Sequence, residues 1–96
     1  ITDTVIEHGI YVSNSADNPT IRFNYVANSN RCGIQINADK DLPGDGIISN
    51  ARVEGNTLLN NAAGAGASLN LNGVEDSTII NNLIASKYRN GIAMYQ

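Results

Sequence analysis

Ninety-six residues set the scale of one small domain, since domains typically run to about 100–150 residues, and 42% hydrophobic against 16% charged residues is too apolar for a disordered tail. A formal net charge of -3, with six basic residues scattered from Arg22 to Arg89, provides no basic patch and argues against a nucleic-acid or anionic-membrane partner. The single cysteine, Cys32, excludes a disulfide-stapled fold, and neither a run of about eighteen apolar residues nor a signal-peptide pattern occurs.

The remaining composition is unusual: fifteen Asn and nine Gly stand against one Phe, one Met and no Trp, so the core must come from Ile, Val and Leu. Along the chain, Gly9-Ile10-Tyr11-Val12 reads as a short strand with alternating faces. Ile21 and Val26 then flank Asn24 in a run that ends at Asn28. Gly33-Ile34-Gln35-Ile36 repeats the first strand, and Val53, Asn56, Leu58 and Asn60 repeat the second run. Ser68-Leu69-Asn70-Leu71, then Ile79, Asn82, Ile84 and Ser86, then Gly91-Ile92-Ala93-Met94 complete the series. Ile10 to Ile34 is 24 residues, Ile34 to Leu69 is 35 and Leu69 to Ile92 is 23, a period of about 23 with one enlarged coil.

Such a period fits leucine-rich repeats as well as β-solenoids, and content separates them. Leucine-rich repeats need several Leu per unit and a helical or 3₁₀ return, whereas this chain has six Leu in all. β-Branched residues in short alternating runs, punctuated by Asn and Gly, predict three short strands per coil joined by tight turns, each pairing in parallel with its equivalent in the next coil. The inward columns are then Ile10, Ile34, Leu69, Ile92; Val12, Ile36, Leu71, Met94; Ile21, Val53, Ile79; and Val26, Leu58, Ile84. Asn24, Asn56 and Asn82 stack as an amide ladder at the inter-strand spacing of about 4.8 Å, a structural role rather than a ligand-binding one.

Over 8–13, 21–39, 45–61 and 77–95 the chain resembles the right-handed parallel β-helix repeats of the pectate-lyase-like superfamily, whose degenerate pattern is Ile-x-x-Asn-x-Ile-x-x-Asn followed by Gly-Ile-x-Ile. The expected fold is therefore all-β, a right-handed parallel β-helix of three to four coils forming a single domain or segment over 1–96. Neither end carries a recognisable cap, which reads as a piece of a longer solenoid or as a chain that covers its ends by homo-oligomerisation. The superfamily carries lyases, hydrolases, epimerases and non-catalytic surface proteins, so the resemblance specifies fold far better than activity. It favours an extracellular or cell-surface location.

Departures from the period mark where chemistry would sit. Ile36 to Val53 is seventeen residues where eight or nine is the rule, and Leu58 to Leu69 is eleven where eight is the rule, which places loop insertions near 38–50 and 60–66. Both flank the strand at 68–72 and form a groove. Its floor is the outward column Tyr11, Gln35, Asn70, Ala93 and the next, Ser13, Asn37, Asn72, Tyr95. Four strands span roughly 14 Å, and amides with tyrosines at the ends suit an extended polysaccharide or oligosaccharide. The same residues also suit the plain solvated face of a half-buried sheet. The candidate binding residues are Tyr11, Gln35, Asn37, Asn70, Asn72 and Tyr95.

Asp39, Asp41 and Asp45 crowd the larger insertion and make a loose calcium site conceivable, against the plain reading of an Asp- and Gly-rich turn bent at Pro43-Gly44. No other cofactor is expected. Lys87 and Arg89 resemble the basic pair of alginate lyases in type, without the surrounding motif. The carboxylates of polygalacturonases are replaced by Gln35, Asn37, Asn70 and Asn72, and the Asp-Pro-x-His signature of mannuronan epimerases is absent. His8 and Cys32 align two residues before their strands, where a packed histidine and a small buried thiol fit better than a nucleophile and its base. Three readings stand in order: a glycan-binding module without complete catalytic machinery, a structural or assembly module using open solenoid ends, and a segment of a polysaccharide lyase.

Overall fold

The computed structural model describes residues 8–14, 17–38, 46–88 and 90–95. Among them all regular structure is strand, and no helix long and apolar enough to cross a membrane is present. The strands are β1 (Ile10–Asn14), β2 (Thr20–Arg22), β3 (Tyr25–Ala27), β4 (Ile34–Ala38), β5 (Ile48–Ser49) and β6 (Arg52–Glu54), followed by β7 (Thr57–Leu59), β8 (Leu69–Asn72), β9 (Val74–Glu75), β10 (Thr78–Ile80), β11 (Leu83–Ala85) and β12 (Ile92–Tyr95). Every pairing is parallel. One sheet runs β1-β4-β8-β12, two others run β2-β6-β10 and β3-β7-β11, and β5 pairs with β9. Successive passes of the chain therefore lie on one another in a solenoid-like stack.

The expected columns are the observed registers. Ile10, Ile34, Leu69 and Ile92 are neighbours, as are Val12, Ile36, Leu71 and Met94. Ile21, Val53 and Ile79 form a third column, and Val26, Leu58 and Ile84 a fourth. Alternation forces this result, because a slip of one residue would turn each apolar set out to solvent. The β5–β9 pair was not expected. Ile48, at the end of the larger insertion, pairs with Val74 and is completely buried, adding a short fourth element to two of the passes.

The asparagine ladder is present and hydrogen-bonded throughout. Asn24 donates to Asn56 Oδ1 through both its backbone N–H and its Nδ2, each at 3.0 Å. Asn56 Nδ2 in turn donates to Asn82 Oδ1 and to the Ile21 carbonyl, also at 3.0 Å, so every donor and acceptor position of this 1% exposed amide is used. Asn82 Nδ2 donates to the Val53 carbonyl at 2.9 Å. The left-handed turn residues are the ladder's neighbours: Phe23, Gly55 and Asn81 have φ of 56°, 65° and 57°. Asn18, Asn50 and Asp76, and also Asn28 and Asn60, adopt the same conformation at the other corners. The high asparagine content thus serves two roles, side-chain ladders and left-handed turns, which Asn tolerates better than other non-glycine residues.

A second buried amide, Asn61, repeats the device one corner further on. Its Oδ1 accepts from the Ser29 N–H and its Nδ2 donates to the Val26 carbonyl, both at 3.0 Å. Close by, the hydroxyls of Ser29 and Ser68 are fully buried, with no hydrogen-bond partner among the described residues. An unsatisfied buried hydroxyl carries a desolvation penalty, so Ser68→Ala is expected to stabilise the fold by about 1 kcal/mol. Urea denaturation checks this: the midpoint should rise at unchanged slope.

Candidate cleft on the four-stranded sheet

The outward face of the sheet β1-β4-β8-β12 carries the candidate binding residues in the expected register. Tyr11, Gln35, Asn70 and Ala93 are successive neighbours, and Ser13, Asn37, Asn72 and Tyr95 form the next column. The second column is internally bonded. Asn72 Nδ2 donates to Asn37 Oδ1 at 2.8 Å, and Asn37 Nδ2 donates to the Tyr11 hydroxyl at 3.3 Å. These amides position Tyr11, a residue 51% exposed. Tyr95 is exposed on the other edge strand.

Gln35 and Asn70 have a different setting. Together with His8, Arg31, Cys32, Ala65 and Gly66 they line a cleft of about 120 Å³. The smaller insertion builds one wall by folding back over the preceding turn: Ala62 N–H donates to the Arg31 carbonyl at 2.8 Å and Gly64 N–H to the Asn30 carbonyl at 2.7 Å. Gly66 is required there. Its φ is +92°, and a Cβ would lie 2.5 Å from Cys32 Sγ.

His8 forms another wall. Its Nδ1 accepts the Cys32 backbone N–H at 3.1 Å, which in a neutral imidazole puts the proton on Nε2. The ring meets Tyr11 edge to face, with centroids 5.3 Å apart and planes at 61°. Cys32 is buried, and that burial raises its thiol above the usual range despite opposing hydrogen bonds from the Ala67 and Cys32 backbone and the charge of Arg31. A protonated, buried thiol is a poor nucleophile. The cleft offers a guanidinium, two amides and, through His8, an aromatic neighbour in Tyr11.

Sequence reasoning found Gln35, Asn70 and Tyr11 but not Arg31, which lies in an irregular turn with no periodic signal. Cys32 is the small buried thiol expected, whereas His8, expected to be packed, is half-buried and accepts the Cys32 N–H; both line the cleft. Lys87 is exposed, with its ammonium 5.5 Å from the Tyr88 ring centroid. Arg89 and the candidate calcium ligands Asp39, Asp41 and Asp45 lie outside the described residues. Among the described residues no cluster of three or more His, Cys, Asp or Glu is arranged to hold a metal ion. No protein-family model, curated protein or solved structure matches this chain.

Proposed function

We propose that the chain is a right-handed parallel β-helix of three to four coils, of the pectate-lyase-like type, and that it binds an extended glycan along the four-stranded sheet. The observation that supports this reading is the convergence of Gln35 and Asn70 with Arg31 on one cleft, beside an exposed tyrosine held in place by the Asn37–Asn72 pair. Amides and guanidinium supply directed hydrogen bonds to hydroxyl or carboxylate oxygens, and the Tyr11 face covers the apolar side of a pyranose ring. The remaining strip, toward Asn72 and Tyr95, extends the contact along the stacked strands.

Screening of the purified chain on a glycan array, followed by titration calorimetry on the best ligand, tests the proposal. Tyr11→Ala is expected to weaken binding about tenfold, the equivalent of about 1.4 kcal/mol, and Gln35→Ala by a similar factor. Absence of binding across neutral and acidic glycans, or affinity unchanged in both variants, would refute it. The lyase reading with Lys87 and Arg89 predicts in addition that acidic glycans gain ultraviolet absorbance from an unsaturated uronate product; the binding reading predicts none.

A further inference from the structure

We propose that Asn72, acting through Asn37, fixes the hydrogen-bond polarity of the Tyr11 hydroxyl, so that this phenol donates to an oxygen of a bound sugar. The inference deepens the glycan-binding reading and rests on it for the identity of the acceptor. It makes Asn72, two strands away from Tyr11 in the four-stranded sheet, a positioning residue. It also assigns to the Tyr11 end of the strip a ligand oxygen that accepts.

The three side chains stand on the outward face of three successive strands, β1, β4 and β8. Asn72 Nδ2 donates to Asn37 Oδ1 at 2.8 Å, and Asn37 Nδ2 donates to the Tyr11 oxygen at 3.3 Å. An amide carries its acceptor and its donors on opposite branches, so the middle residue couples the two bonds. With Oδ1 turned to Asn72, the branch left to face Tyr11 is Nδ2. A hydroxyl that accepts from Nδ2 turns its own hydrogen elsewhere. Tyr11 is 51% exposed, which leaves that hydrogen open to a ligand.

The reversed chain is the other arrangement that keeps both bonds. In it Asn37 turns over, its Nδ2 donates toward position 72 and its Oδ1 accepts the Tyr11 hydrogen. The phenol is then committed to the protein and offers a ligand only a lone pair. Position 72 selects between the two states, because an amide can present a donor to Asn37 whereas a carboxylate presents only acceptors. With the chain in its observed sense, an ether, carbonyl or carboxylate oxygen of a sugar is matched at Tyr11. A sugar hydroxyl fits there only as an acceptor.

Two substitutions reverse the phenol while keeping side-chain shape. Asn72→Asp faces Asn37 with a carboxylate and turns it over; Asn37→Asp accepts from Asn72 and Tyr11 together. The tyrosine Fermi doublet of the Raman spectrum reads the result, since its intensity ratio separates a phenol that accepts from one that only donates. The ratio is expected to move toward the donor value in both variants, partway in the uncharged Asn72→Ala, and not at all in a Tyr11→Phe background. An unchanged doublet in variants that circular dichroism shows to be folded would overturn the proposal. Calorimetry with cellohexaose, chitohexaose and hexagalacturonate, at high salt to screen the added carboxylate, supplies the second arm. For a probe that binds, Tyr11→Phe and Asn72→Asp are each expected to weaken affinity about threefold, the scale of one modest hydrogen bond, and the double variant no further. Losses that multiply in the double variant would overturn the role of Asn72 in ligand donation. If none of the three probes binds, the glycan-binding reading fails for them, and the Raman comparison still decides the direction of the chain.

Discussion

Asn56→Ala is expected to destabilise the protein by about 3 kcal/mol, more than any other single asparagine substitution in the ladder. The reason is the number of groups left without partners. Asn56 accepts from two groups of Asn24 and donates to Asn82 and the Ile21 carbonyl. Its removal strands a backbone N–H and a backbone carbonyl inside the stack, where water does not replace the lost bonds. Asn24 sits at the first rung and is only half-buried, so Asn24→Ala should cost about half as much. Asn56→Asp is a sharper variant: it keeps the shape but replaces a two-hydrogen donor with a carboxylate facing the Asn82 Oδ1 and Ile21 oxygens. Urea denaturation followed by circular dichroism gives all three values. A cost below about 1 kcal/mol for Asn56→Ala would mean that the ladder contributes turn geometry but little stability.

The second large effect contrasts two residues in the same sheet. Leu69→Ala is expected to cost about 3–4 kcal/mol, the range for a leucine deleted from a fully packed interior. Leu69 is completely buried between Ile34 and Ile92 in its column. Met94, also on an inward position, is mostly exposed, and Met94→Ala should cost less than about 0.5 kcal/mol. Position along the stack, not chemistry, sets the difference, because each pass is covered only by its neighbours. Equal costs would show that Met94 is packed as tightly as Leu69.

Both predictions use registers that are legible in the sequence. The four inward columns and the ladder at Asn24, Asn56 and Asn82 follow from period-two alternation and from a repeat of about 23 residues, with each strand pairing with its own equivalent. Alternation has only two solutions, and one exposes the apolar face. The outward strip of Tyr11, Gln35, Asn37, Asn70, Asn72 and Tyr95 follows by the same parity.

Other features depend on contacts between passes that no local pattern encodes. Phe23 adopts a left-handed φ although a bulky residue resists it. It does so because its equivalents in the stack, Gly55 and Asn81, accept that turn readily, and because its ring lies over Gly55, with the Arg22 guanidinium 4.9 Å from its centroid. The β5–β9 pair forms because Ile48 finds a buried place beside Val74, though two residues are too few to give a periodic signal. Arg31 reaches the cleft only because the loop at 62–66 folds back onto its turn.

The sequence by itself determined the all-β class, the parallel registers, the core columns and the asparagine ladder, since these are properties of spacing repeated from pass to pass. The tertiary structure decided which outward amides bond to each other and which line a cleft. It also decided which apolar positions are covered and which, as at Ile92 and Met94, lie open on an edge. These depend on loop paths and on position within the stack, and a repeat that reads alike at every pass contains no information about either.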